Sequence, residues 1–98
     1  MKVVFAVGDL IGWKFVNDKY VNDKDFRAYC IIKSIRGENE LWGEWAPTPE
    51  GAIKKHKESR NTLGSSYVTT DDANVIVKII KKGVGIRITN WKVILKKP

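Results

Sequence analysis

Cysteine and histidine are almost missing from this chain of 98 residues: Cys30 and His56 each stand alone. A lone cysteine forms no internal disulfide, and a single histidine beside it supplies too few ligands for a thiolate or imidazole zinc site. Disulfide scaffolds and zinc fingers are excluded, and no metal or other cofactor is expected. Long apolar runs are lacking as well, so no segment reads as a membrane span. The start, Met1-Lys2-Val3-Val4-Phe5, has none of the successive charged, apolar and small-residue regions of a secretory leader. The expectation is a cytoplasmic protein that makes no membrane contact. Gly83-Val84-Gly85 lacks the further glycine and the strand-to-helix order of a dinucleotide fingerprint, and no phosphate-binding loop ending in Gly-Lys-Ser or Gly-Lys-Thr occurs.

What is present is an ordinary globular composition, 43% apolar, 10% aromatic and 30% charged. A chain of this size buries roughly 65% of its unfolded surface. That supports one compact domain over residues 1–98.

The net charge of +7 is distributed unevenly. Residues 1–46 hold seven bases and seven acids; residues 47–98 hold eleven bases against Glu50, Glu58, Asp71 and Asp72. Aromatic residues run the other way, with Phe5, Trp13, Phe15, Tyr20, Phe26, Tyr29, Trp42 and Trp45 in the first half and Tyr67 and Trp91 in the second. Single-strand nucleic-acid platforms combine a basic groove with aromatic faces, so this segregation weighs against that reading unless folding joins the halves. The positive field attracts polyanions; equally, excess lysine keeps a small domain soluble and guards sheet edges.

Along the chain, Val3–Val7 predicts a buried central strand and Leu10–Val16 a second strand. Two short copies, Val16-Asn17-Asp18-Lys19 and Val21-Asn22-Asp23-Lys24, place a polar turn in 17–25. The carboxylates Asp18, Asp23 and Asp25 lack the spacing of an EF-hand loop. Arg27–Ile35 reads as a strand joined through Arg36-Gly37-Glu38-Asn39 to a second arm, Glu40–Trp45. Period-two alternation puts Trp42 on one face of that arm and Trp45 on the other, so one of them is exposed or covered by another element such as a helix. Thr48-Pro49-Glu50 is a helix start, with a capping threonine, proline at the first helical position and an early acid. The helix is expected to run to about Thr62 or Leu63, with Ala52, Ile53, His56, Arg60 and Leu63 on its inner side and lysines outside. Residues 71–82 carry helix caps, Thr69-Thr70-Asp71-Asp72 and Lys81-Lys82-Gly83, around a β-branched run, and the caps favour helix. Val84–Thr89 and Trp91–Lys96 read as a hairpin with one basic and one apolar face.

The fold expected is α+β: an antiparallel sheet of about five strands with one or two helices packed on one face. The function expected first is a small basic binding module that contacts nucleic-acid phosphates without strong sequence specificity through Lys54, Lys55, Lys57, Arg60, Arg87, Lys92 and Lys96. The alternative is a protein-binding adaptor or inhibitor, or a self-associating homodimer, anchored by Trp13, Trp42 or Trp45. A third reading, a metal-dependent nuclease, would gather Asp9, Glu38, Glu40 and Glu44 around Mg²⁺. No catalytic residue stands out: His56 lies among lysines, and Cys30 sits mid-strand without a cation or helix start to activate it.

Overall fold

The structure, a computed structural model, describes residues 3–18, 26–59 and 61–85. Among these residues six strands and a helix follow in order: β1 (Leu10–Phe15), β2 (Ala28–Ile31), β3 (Ser34–Arg36), β4 (Glu40–Gly43), α1 (Pro49–Glu58), β5 (Ser66–Thr69) and β6 (Val75–Lys81). They form two antiparallel sheets of three strands, β2-β1-β6 and β3-β4-β5, so the single sheet of about five strands expected from the sequence is divided in two.

The division falls inside the expected strand 27–35. The Ile32 N–H donates to the Asp9 carbonyl at 3.0 Å, but the next residue, Lys33, donates to the Trp42 carbonyl at 2.8 Å. The chain thus leaves the first sheet and enters the second between neighbouring residues, and the Gly37 turn (φ 60°) returns it as β4. β1 lies between β2 and β6 and is paired along both edges. That leaves no edge beside it for the strand expected at Val3–Val7, where Val3 and Val4 are 60% and 70% exposed. This segment has irregular backbone; Phe5 packs on the core, and the Lys82 ammonium holds it through the Val4 carbonyl at 3.2 Å and the buried Asp9 carboxylate at 2.9 Å.

Residues 75–81 are strand, a correction to the helix favoured by their flanks. The β-branched side chains of Val75, Ile76 and Val77 suit a pleated surface, and the backbone is paired along β1 from Phe15 to Leu10. The apparent caps serve as turns: the Asp72 carboxylate accepts from the Asn74 N–H at 2.8 Å. Val84 and Gly85 are not strand, which corrects the start of the expected hairpin 84–96; its remainder lies outside the described residues.

The helix begins as expected, with the Thr48 hydroxyl accepting from the Gly51 N–H at 3.0 Å and Pro49 in the first turn. It stops at Glu58, short of Thr62. There Lys33 donates to the Ser59 carbonyl, to the Ser59 hydroxyl at 2.8 Å and to the Thr62 hydroxyl at 3.0 Å. A cation at a helix C-terminus complements the partial negative charge of the last carbonyls, although burial lowers the Lys33 pKa while Glu44 works against that shift.

Alternation then separates two cores. Leu10, Tyr29 and Ile31 face α1, packing with Phe26, Ala46, Ala52 and Val84. Ile11 and Cys30, from the opposite face of the same strands, pack with Ile32 and Leu41 between the sheets, ringed by Ile35, Val68, Val77 and Ile79. The layers are helix, sheet, sheet. Among the described residues no helix is long and apolar enough to cross a membrane.

Candidate binding groove

Ile11, Trp13 and Phe15 alternate onto the β1 face that looks toward the second sheet. Ile11 is fully buried there, whereas Phe15, four residues later, is 41% exposed. Near it lies β5, four residues long and last in its sheet among the described strands. Here a groove of about 580 Å³ continues the inter-sheet core outward, with Trp13, Phe15, Trp45 and Tyr67 among its walls and Asp72 as the carboxylate lining it.

Each ring is held. Trp13 and Phe15 meet edge to face, with centroids 4.9 Å apart and planes at 87°. The Trp45 indole N–H donates to the Ser66 carbonyl at 3.2 Å. Beside the groove, the Arg27 guanidinium lies 4.8 Å from the Phe15 ring centroid and pairs with Asp18 at 2.7 Å. That hydrogen-bonded guanidinium holds the Asp18 carboxyl below its ordinary range, and the carboxylate also accepts from the Phe15 N–H at 2.8 Å.

Tyr67 also belongs to the outer face of the second sheet. Its ring stacks on Trp42 at 4.7 Å, and Arg36 lies 4.0 Å from the Trp42 ring centroid, making a row of side chains across β3, β4 and β5. Trp42 is therefore covered by a tyrosine and an arginine instead of the helix entertained for it, and its indole N–H donates to Glu40 at 3.0 Å.

Of the expected anchors, folding brings Trp13 and Trp45 into one groove and puts Trp42 behind its wall. Lys54, Lys55 and Lys57 lie exposed on α1, with Lys55 donating to the Trp45 carbonyl at 2.9 Å. Arg60, Arg87, Lys92 and Lys96 lie outside the described residues. Because α1 packs on the face of the first sheet opposite Trp13, Lys54 and Lys57 and the groove are separated by that sheet.

Three of the four acids considered for a nuclease already have partners, Glu40 accepting from the Trp42 indole N–H. Asp9 is buried and accepts from Lys82, the Ala6 N–H and the Gly83 N–H; Glu44 accepts from the hydroxyls of Thr62 and Ser65. Among the described residues no group of three His, Cys, Asp or Glu side chains could hold a metal ion. Burial raises the Cys30 thiol far above its ordinary pKa, with Glu44 adding to the shift, so the thiol stays protonated.

Sequence reasoning missed Phe15, Tyr67 and Asp72 as groove residues. Phe15 was within reach, being two residues from Trp13 on one strand and hence on one face. Tyr67 and Asp72 follow only from the pairing of β5 with β4. No family model, curated protein or solved structure matches the chain.

Proposed function

We propose that this protein is a binding module, an adaptor or inhibitor that receives an apolar segment of a protein partner in the aromatic groove. The observation that carries the reading is the meeting of Trp13, Phe15, Trp45 and Tyr67 around one open cavity. Large rings fixed by their own neighbours lose little conformational freedom when a partner covers them, and interface binding energy concentrates in such aromatic anchors. Trp45 lends the site rigidity, since it both packs on the inter-sheet core and reaches Ser66. A cytoplasmic location belongs to the same proposal, in keeping with a lone buried thiol.

Selection of peptides from a random displayed library against the full chain tests this reading. Enriched peptides are expected to lose about tenfold or more in affinity on Tyr67→Ala, equivalent to about 1.4 kcal/mol. Tyr67 is 48% exposed, so this variant should keep its circular dichroism spectrum. Full affinity for folded Tyr67→Ala and Trp13→Ala would overturn the assignment.

The exposure of Lys54 and Lys57 on one helix, with the net charge of +7, supports a second reading: sequence-independent contact with nucleic-acid phosphates on the side away from the groove. A salt series with single- and double-stranded DNA and RNA tests it. Phosphate contact gives a log affinity that falls linearly with log salt, and charge reversal of Lys54, Lys55 and Lys57 flattens that slope. No binding at low salt would remove this reading.

A further inference from the structure

We infer that the segment received by the groove is an extended, basic peptide that adds to the edge of β5 left unpaired among the described residues and seats a lysine or arginine side chain between Trp13 and Trp45 beside Asp72. The inference rests on the groove reading above and specifies its ligand. Two independent features support it, one in the backbone and one in the charge of the walls.

The backbone feature is the edge. β5 ends the order β3-β4-β5, and all four of its residues line the groove. The Thr70 N–H donates to the Asn39 carbonyl at 2.9 Å, which sets the phase of the β4–β5 ladder. With Leu41 opposite Val68 and Trp42 opposite Tyr67, alternation makes Val68 a hydrogen-bonded partner of β4 and turns the peptide groups of Tyr67 and Thr69 outward. An outward row of N–H and C=O groups is a template for an added strand, whose alternate side chains then point to opposite faces. One set would fall toward Trp13 and Phe15.

The charge feature concerns which side chain fits there. The groove wall contains no lysine, arginine or histidine among the described residues, and the acidic side chain that lines it is Asp72. Aromatic faces carry negative quadrupole charge and attract ammonium and guanidinium groups, and a nearby carboxylate adds to that attraction. The aliphatic stem of lysine or arginine would lie against Ala28, Val68 and Val75, which also line the cavity. This chain already makes the same pairing for itself at one ring of the groove and at one behind it, with Arg27, paired to Asp18, over Phe15 at 4.8 Å and Arg36 over Trp42 at 4.0 Å. A peptide carrying glutamate would meet Asp72 as a like charge.

The test titrates the full chain, labelled with ¹⁵N, with three acetylated and amidated pentapeptides: Val-Lys-Val-Lys-Val and its counterparts with norleucine or glutamate in place of lysine. Norleucine keeps the stem and removes the charge. The lysine peptide is expected to shift the indole N–H signals of Trp13 and Trp45 and the amides of Tyr67 and Thr69, and to bind about tenfold more tightly than the norleucine peptide. Asp72→Asn, which keeps the acceptor used by the Asn74 N–H, should reduce that preference to about threefold or less while leaving norleucine binding unchanged. Equal or tighter binding of the norleucine or glutamate peptide would overturn the inference, as would lysine-peptide shifts confined to α1. The groove reading itself fails separately, when library-selected peptides keep their affinity for folded Tyr67→Ala and Trp13→Ala.

Discussion

The space between the two sheets is filled at one end and open at the other, although β1 supplies both ends. At the closed end Ile11, Cys30, Ile32 and Leu41 are almost fully buried, and small or aliphatic side chains interlock there. At the open end Trp13 and Phe15 continue the same face into the groove. The closed end excludes water and stabilises the fold. The open end keeps apolar rings within reach of solvent, as partner-binding sites do. One alternating strand therefore supplies both a buried core and the open aromatic groove proposed above as the binding site.

The sharpest way to break this contrast is to truncate each end. Leu41→Ala should cost about 2–5 kcal/mol through lost burial and the cavity left behind, whereas Phe15→Ala should cost less than half as much in the same urea titration. Equal losses would show that both ends are core. A smaller effect is expected from filling the closed end. A Cβ added at Gly43 would lie 2.7 Å from the Ile31 carbonyl oxygen and 2.8 Å from the Cys30 sulfur, so Gly43→Ala should cost about 1–3 kcal/mol by overpacking. An unchanged urea midpoint would mean the sheets separate easily there.

The smallest effect is a pH dependence. Burial raises the folded pKa of Cys30 above its ordinary value of 9.0, so the unfolded chain gives up this proton first as pH rises. Stability from the protonated thiol is complete below pH 9 and declines above it, toward a slope of about 1.4 kcal/mol per pH unit. Urea midpoints measured at pH 8, 9 and 10 should fall, and Cys30→Ala should fall less steeply. Parallel lines for the two proteins would show that the thiol is not held protonated.

Much of the local structure was legible in the sequence. Thr48-Pro49-Glu50 starts a helix for reasons confined to three residues, and Gly37 closes the β3–β4 hairpin as its neighbours suggested. Alternation alone put Trp42 and Trp45 on opposite faces. What escaped was pairing between distant parts of the chain. Nothing local tells Val3–Val7 that both edges of β1 are taken by residues 28–31 and 75–81. Thr70-Asp71-Asp72 and Lys82-Gly83 look like helix caps because turns and caps use the same hydrogen-bonding side chains. The Asp9–Lys82 pair, which fixes the second of these turns, joins residues 73 positions apart. The groove was half legible for the same reason: Trp13 and Trp45 could be named as candidates and do line it, but Tyr67 and Asp72 reach it only through the register of β5 on β4.

That the open end is the binding site is tested most directly by mapping, on the ¹⁵N-labelled full chain, the signals moved by the tightest peptide from the library selection. Shifts centred on the Trp13 and Trp45 indoles and on the amides of Ser66–Thr69, with Lys54 and Lys57 unmoved, are the predicted result. Shifts centred on α1, with both indoles unmoved, would contradict it.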